Sequence, residues 1–597
     1  MSSIPERGDI PQKDRWNLVN LFPDEAAWEA GLHELEERIP NIVSFRGTLH
    51  QSAVRLRSCL EEMNEVELLS ERLGYYAMLR QSEDIRDSSR QDRYARYLSV
   101  ATKVQAASSY QDPEILAIPE EVMEDFLASE VLEAFQISLK KLLRFRPHIL
   151  TESEERLLTL QAEANQTAFK GFSALTDADM EFGEIDTAEG KKPLSQSTFT
   201  EFLINPDREI RKKAYAQFYA VFERHKNTLA ALYNGSVQLD IYRAKVRNHP
   251  SARTAGLFAD DVPEDVYDNL VKTVGDNLPC VHRYYALRKK VLGLHRLRQY
   301  DVHVPLVKDI NVRHTYEEAV DVVCAALSPL GEEYQTTLRN GLLGNWVDRY
   351  ENKGKRSGAF SAGSYTGEPY ILMNYKEDVL RDVFTLAHEG GHSMHSWYSA
   401  RNNPFQHYNY TIFEAEVAST VNEQFLAHYL LEKAENEEMK AYLYGKQIDD
   451  SIATLVRQTM FAEFEHITHR MVEKGTPLTV DSLRSTYREL LTRYFGPTMV
   501  LAEESDLEGL RIPHFYRAFY VYKYATGLSA AIALSRGILN GGEVERDRYI
   551  EFLKSGGSKY PLASLRLAGV DMRSPEPIQV ALNRLTDLLE KMEGAIG

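Results

Sequence analysis

The chain is predicted to be mainly α-helical, with helical lobes packed around one catalytic region and a small β-sheet beside it. Three observations lead there. Most of the 597 residues place apolar side chains at three- and four-residue steps among Glu and Arg. Strand-like material is confined to two short patches. One helix carries His388-Glu389-Gly390-Gly391-His392, an H-E-x-x-H pattern that sets two His on one face, within reach of a single metal.

From Ala53 to Leu143 the helical spacing runs with few Gly or Pro. Asn205 is predicted to cap a long helix, with Pro206 at its first position and a buried stripe of Ile210, Ala214, Phe218, Val221, Phe222, Leu229 and Leu232. A further helix is expected from near Pro263 to about Leu278, before Pro279, and two more from Leu510 to Arg536 and from Pro575 to Ala595. Met180–Ile185 and Leu194–Phe199 flank Gly190-Lys-Lys-Pro193 and suggest a hairpin turning there. The second patch, the Gly-rich Ser357–Tyr365 followed by Tyr370–Tyr375, suggests two strands immediately before the motif helix. No repeat or low-complexity linker divides the chain.

Composition narrows the function. The net charge is -18 and no sustained Lys/Arg cluster occurs, so no nucleic-acid partner is expected. The three cysteines, Cys59, Cys280 and Cys324, form no C-x-x-C pair, which argues against a disulfide framework and a thiolate zinc site. No run of about 18 apolar residues exists, so no membrane partner is expected. The polar beginning lacks a signal region, and the chain reads as cytoplasmic.

Val379, Leu380, Val383, Phe384, Leu386 and Ala387 lead a buried helix into the motif. Gly390 and Gly391 oppose helix formation, costing about 1 kcal/mol each relative to Ala. Such a local violation beside metal-ligand candidates points to close approach by another backbone or a ligand. A three-His pattern would need Gly at 395 and His at 398, where the chain has His395 and Tyr398. A third ligand must therefore come from elsewhere, leaving one position for water. Glu416, 24 residues after His392, is the candidate. It lies on the helical stretch Thr411–Glu423, after turn material at Arg401–Pro404, with small Ala415, Ala418 and Ser419 around it. Glu414 would face away. Glu423, two turns on, suits a carboxylate that orients a ligand His from behind. His395 could support a ligand, face substrate or fill the core.

The chain resembles the thimet oligopeptidase and neurolysin group of zinc metallopeptidases, and most closely its oligoendopeptidase F branch. The resemblance is carried by H-E-G-G-H-S-M-H-S-W (His388–Trp397), F-E-A-E-V-A-S-T-V-N-E (Phe413–Glu423) and P-H-F-Y-R-A-F-Y-V-Y-K-Y-A-T-G (Pro513–Gly527), with Arg15–Pro23 similar to that branch's opening. Ala418 stands where thimet-type enzymes carry Pro, which fits the oligoendopeptidase branch. The resemblance implies a two-lobed helical zincin-type metallopeptidase with a deep central channel and one zinc ion held by His388, His392 and Glu416. It implies a helical region over 1–112, a helical region with a hairpin covering the channel over 113–200, and a catalytic domain over 201–597. Of the Tyr-rich segment, it implies roles for His514, Tyr520 and Tyr522 in catalysis and for Tyr516 in holding substrate.

The expected chemistry follows. Zinc lowers the pKa of water from about 15.7 to near 7, and Glu389 takes the water's proton and passes it to the leaving amine. Tyrosine suits stabilisation of the developing oxyanion because it donates a proton without adding charge. The strand at Tyr370 is expected to pair with the substrate backbone through an exposed edge, and Gly358 and Gly363 to let a peptide approach closely. The expectation is a zinc-dependent oligoendopeptidase acting on short unstructured oligopeptides. The alternatives are a carboxypeptidase of the same fold and a non-catalytic peptide-binding protein. No oligomeric state is specified by the residues.

Overall fold

The computed structural model describes residues 4–307 and 312–596. Helices dominate, accompanied by two small sheets, in line with the predicted class. The strands are β1 (Glu184–Thr187), β2 (Gly190–Pro193), β3 (Val347–Asp348), β4 (Phe360–Ala362) and β5 (Tyr370–Leu372). The helices used below are α1 (Ala53–Glu83), α2 (Arg208–Val246), α3 (Ala252–Phe258), α4 (Glu332–Leu343), α5 (Leu380–Asn402), α6 (Ile412–Lys433), α7 (Gln458–Glu473) and α8 (Tyr522–Gly541). The chain divides into two compact units. One comprises Met1–Arg146, Asn311–Tyr429 and Leu534–Gly569, the other Pro147–Ile310, Leu430–Ala533 and Val570–Gly597.

In the first unit, Ser52 starts α1 by accepting the Arg55 N–H at 3.1 Å, a cap that satisfies a donor the helix leaves free. Trp16, Leu18, Leu21, Phe22 and Trp28 are buried against α1 residues such as Leu56, Leu73 and Tyr76. Trp16 donates its indole N–H to Glu83 at 2.6 Å and meets the Tyr370 ring edge-on at 6.5 Å. The Arg15–Pro23 block is thus an underlay for the three-stranded sheet. Asp348 on β3 is fully buried, accepts from Arg7 at 2.9 Å and pairs with Lys355 at 2.7 Å, so its charge is compensated and the sheet is tied to the start of the chain.

The sheet order is β3-β5-β4, with β3 parallel and β4 antiparallel to β5. This corrects one expectation: the strand at Tyr370 is central, with both edges taken, and the outer strand next to it is β4. The Tyr370 side chain is also 0% exposed, so it is core and not a substrate contact. β4 is docked on α5, where Ser361 Oγ lies 2.9 Å from Ser393 Oγ. A Cβ on Gly363 would sit 2.1 Å from Ser396 Oγ, so this glycine answers to α5 and not to a peptide. Gly358 has φ +84° with open space around it, and its carbonyl accepts from Asn374 at 2.9 Å, which makes it a turn glycine.

In the second unit, α2 is capped by Asp207, which accepts the Glu209 N–H at 2.9 Å. The predicted start at Asn205 and Pro206 is early, because Asn205 Oδ1 accepts the Asp207 N–H at 2.8 Å and forms a turn ahead of the helix. Ala214, Phe218, Val221, Phe222 and Leu229 are buried as expected, with Phe218 stacked on Phe182 and Phe199. The hairpin forms, but Gly190–Pro193 is its second strand and not its turn. Leu194–Phe199 is no strand, because Ser195 accepts the Thr198 N–H at 3.2 Å and starts a helix over Gln196–Leu203. The helices Glu264–Asp276 and Glu576–Ile596 match expectation. Leu510–Arg536 is not one helix. Pro513 opens a 3₁₀ turn to Tyr516, Phe519 takes a left-handed φ of 54°, and α8 begins only at Tyr522.

Candidate metal centre

Every residue of this centre lies in the first unit, on α5, α6 and β4. The two helices meet with almost no side-chain spacer. A Cβ on Gly391 would stand 2.6 Å from Ser419 Cα and 2.8 Å from the Ala418 carbonyl oxygen, distances only a glycine permits. Gly391 is therefore clearance for a helix, not for a peptide. Gly390 faces softer surroundings, its Cβ site lying 3.2 Å from Leu338 Cδ1 on α4. Asn422 on α6 donates to the Ala387 carbonyl at 3.1 Å and accepts from Tyr334 on α4 at 2.9 Å, fixing the register of α6 against the motif turn.

That register sets Glu416 opposite the two His. One ligand atom from each of His388, His392 and Glu416 lies within 4.8 Å of the others, the only such group of His, Cys, Asp or Glu among the described residues. The two Nε2 atoms are 3.1 Å apart, and His388 Nε2 is 3.8 Å from Glu416 Oε2. These distances bracket the edge of about 3.3 Å in a tetrahedron with bonds of about 2.0–2.1 Å, the geometry of zinc. The ring orientations suit it as well. His388 Nδ1 lies 2.6 Å from Glu423 Oε1, and His392 bonds the Ala415 carbonyl, which turns each Nε2 toward the same point. Two imidazole nitrogens facing each other beside a carboxylate are a donor set that fits a divalent cation.

Electrostatics separate the two His. Burial and the neighbouring His388 push His392 down to about 3, against its bond to Ala415, so it is a neutral ring. Burial opposes charge on His388 too, but the hydrogen bond to Glu423 and the charges of Glu423, Glu389 and Glu416 outweigh it and raise the group to about 9. Glu389 is 7% exposed. Burial lifts its carboxyl to about 7, reinforced by Glu416 and Glu423 and opposed by His388 and the Ser361 N–H, which donates to it. A carboxyl poised near neutrality is suited to exchanging protons.

The remaining candidates fall elsewhere. His395 is 1% exposed and stacked 3.6 Å from the Tyr410 ring, so of its three conceivable places it takes the core. Glu414 is buried and accepts from the Thr411 N–H and hydroxyl, both at 3.1 Å, at the start of α6. His514, Tyr516, Tyr520 and Tyr522 belong to the second unit. His514 is exposed and Tyr520 half-buried, with rings 6.3 Å apart and the Arg517 guanidinium 4.1 Å over Tyr520. Tyr516 packs on Phe172 at 4.5 Å and its hydroxyl has no hydrogen-bond partner. Tyr522 is 0% exposed against Tyr267, and its hydroxyl is also unpartnered, so this side chain is core and not the donor expected of it. Sequence reasoning missed Ser361, whose N–H reaches Glu389. The available signal was its place in the Gly-rich strand just before the motif helix.

Known proteins resemble the chain along most of its length. Residues 202–584 match the model of peptidase family M3, and residues 114–182 match that of oligopeptidase F. Oligopeptidase PepF of Bacillus subtilis is 43% identical over 99% of this chain and 88% of its own length. An oligoendopeptidase F homolog of Borreliella burgdorferi is 44% identical over 98% and 99% of the two chains. The crystal structure of oligoendopeptidase-F from Enterococcus faecium superposes with a TM-score of 0.74 at 33% identity, covering 95% of this chain and 98% of the other. No helix among the described residues is long and apolar enough to cross a membrane. With the family model spanning most of the sequence and full-length relatives above 40% identity, the chain belongs to peptidase family M3, in its oligopeptidase F branch.

Proposed function

We propose that the protein is a zinc-dependent oligoendopeptidase that hydrolyses internal bonds of short, unstructured peptides. The observation that carries this is the convergence of His388, His392 and Glu416 on one point with Glu389 beside them. His388, His392 and Glu416 would hold one zinc ion. Bound zinc acts as a Lewis acid on a carbonyl oxygen and acidifies water. Glu423 holds the His388 ring in the tautomer that presents Nε2. Glu389 takes a proton from water and returns it to the departing amine nitrogen. Its burial suits both halves of that exchange.

Substrate is read through its backbone. β4 is bonded to β5 along one edge only, and its Ser361 N–H reaches Glu389, so the outer edge of this strand runs past the base. A peptide added to that edge aligns its main chain irrespective of sequence, which suits an enzyme of oligopeptides. Gly358 supplies the turn that precedes the strand. By family resemblance His514 and Tyr520 donate hydrogen bonds to the developing oxyanion, and Tyr516 contributes to substrate holding.

The test is digestion of a mixed peptide library by wild type and Glu389→Gln, with bound metal measured in both. Loss of internal cleavage with zinc retained is expected. Equal cleavage by both proteins defeats the reading, and a strict need for a free substrate C-terminus would make the enzyme a carboxypeptidase.

A further inference from the structure

Arg457 and Arg511, both in the second unit, share a single carboxylate. Arg457 Nη2 donates to Glu508 Oε2 at 2.6 Å, and Arg511 Nη2 lies 3.8 Å from Glu508 Oε1. The Tyr487 hydroxyl donates to Glu508 Oε2 as well, at 2.9 Å. Burial opposes charge on Glu508, but Arg457 and Arg511 outweigh it and hold its carboxyl below the usual range, so Glu508 is ionised. Among the described residues neither guanidinium has a second acidic partner. One positive charge is left over, in a chain whose net charge is -18. A neighbour feels the surplus. Burial and the charges of Arg288, Arg457 and Arg511 push His303 down to about 4, with Glu508 opposing.

The two arginines are held differently. Arg457 ends a π-helical turn, Ile452–Arg457, that leads into α7, and its guanidinium carbon lies 5.0 Å and 5.1 Å from the ring centres of Phe461 and Phe495. Such π turns are rare and gather at functional sites. Arg511 is the open member. Its Nε donates to the Tyr219 hydroxyl at 3.2 Å, and among the described residues neither terminal nitrogen has a hydrogen-bond acceptor. The buried rings of Phe218 and Phe199 lie 5.7 Å and 5.9 Å from its guanidinium carbon, yet 25% of the side chain is exposed. Two free nitrogens at the end of a planar fork match the two oxygens of a carboxylate.

The position of Arg511 tells which carboxylate. It precedes His514 by three residues, so their Cα atoms are at most about 11 Å apart. Tyr219, which Arg511 bonds, and Tyr233, whose ring meets that of Tyr516 edge-on at 6.2 Å, are 14 residues apart on one face of α2. At about 1.5 Å per residue they are separated by about 21 Å, the span of about six residues of extended peptide. We propose that Arg511 binds the C-terminal carboxylate of the peptide substrate, so that an oligopeptide is recognised by its end as well as by its backbone. This rests on the oligopeptidase reading above, which gives His514 to the oxyanion and Tyr516 to substrate holding. Every peptide carries an α-carboxylate irrespective of sequence, and only a short one brings it this close behind the scissile bond. Cleavage stays internal, and the C-terminal product is no longer than about six residues.

The experiment measures kcat and KM of wild type, Arg511→Gln and Arg511→Lys on one short peptide with a free C-terminus, on the same peptide amidated, and on an amidated peptide ending in Asp, with cleavage sites read by mass spectrometry. In wild type, amidation is expected to raise KM about 10–100-fold with kcat within about threefold, as loss of a charge-assisted contact made equally in ground and transition states should do. The peptide ending in Asp is expected to stay as poor a substrate as the other amide. In Arg511→Gln the free and amidated forms are expected to differ by no more than about threefold. Should the Gln protein fail to fold, Arg511→Lys stands in, its preference for the free end falling at least about threefold because it keeps the charge without the fork. Equal KM for free and amidated peptide in wild type overturns the proposal with no variant needed. Full wild-type preference in a folded Gln or Lys variant overturns it too, and rescue by the C-terminal Asp shows that a side chain is read and not the chain end. Cleavage of all three peptides that is lost only in Glu389→Gln leaves the zinc-peptidase reading standing where the carboxylate proposal fails.

Discussion

Glu423 Oε1 lies 2.6 Å from His388 Nδ1, on the side of the imidazole away from Glu416. The carboxylate accepts from Nδ1 and orients the ring so that Nε2 faces Glu416. Glu423→Gln keeps the size but not the charge, and its amide can present either oxygen or nitrogen to Nδ1. Zinc affinity is expected to fall about 10–100-fold. Chelator competition reads this directly, and unchanged affinity would remove Glu423 from the site.

Gly391 and Gly390 are adjacent in sequence yet have different neighbours. Ala at 391 must push against the α6 backbone at Ser419 and Ala418, which cannot yield as a side chain can. Overpacking of this kind costs about 1–3 kcal/mol, and it moves Glu416 away from the two His. Ala at 390 meets the end of Leu338 and gains about 1 kcal/mol of helix propensity. Calorimetry should show a lower Tm and weaker zinc binding for Gly391→Ala and neither for Gly390→Ala. Equal stability of the two would contradict the helix-contact account.

How far the sequence is legible follows from the range of the interactions. His388, His392 and Glu416 could be read because helical spacing is local and the acidic stretch has few alternatives. The Asn205 start was misplaced by an Asx turn that imitates a cap, since Asn205 and Asp207 use the same side-chain chemistry two residues apart. The central place of β5 depends on β3, a two-residue strand with no periodicity to detect. Gly391 showed that something came close, but only the fold reveals α6 as the neighbour. Helical spacing also runs through Tyr516–Tyr524, and it hid the left-handed Phe519 that breaks the segment.

Tyr520 and Tyr522 are two residues apart and face different surroundings. Tyr522→Phe deletes a buried hydroxyl that has no partner, which relieves a desolvation cost of about 1–3 kcal/mol. A Tm equal to or above wild type is expected, with kcat within about threefold. Tyr520→Phe leaves stability alone and removes a proposed donor to the oxyanion, so kcat should fall about 10²-fold. Steady-state kinetics with melting curves distinguish the two. The reverse pattern would return the catalytic role to Tyr522.

Glu465 makes stability depend on pH in a direction opposite to that of a salt-bridged acid. Burial raises its folded pKa, with Asp240 adding to the effect and the Phe519 N–H opposing it, while the unfolded chain keeps the ordinary value near 4.5. Below that value both states are protonated and the group is neutral to stability. Above it the unfolded chain ionises while the folded protein keeps its proton. Stability therefore falls as pH rises, by up to about 1.4 kcal/mol per unit, until the folded pKa is passed. Asp240 and His469, 3.4 Å apart, also lie near this carboxyl, and burial pushes Tyr233 and Tyr267 up. Glu465→Gln leaves all of these in place and removes only the one carboxyl. Its Tm advantage over wild type should accordingly widen from pH 5 to pH 8. A constant difference would mean that Glu465 ionises in the folded protein much as it does in water.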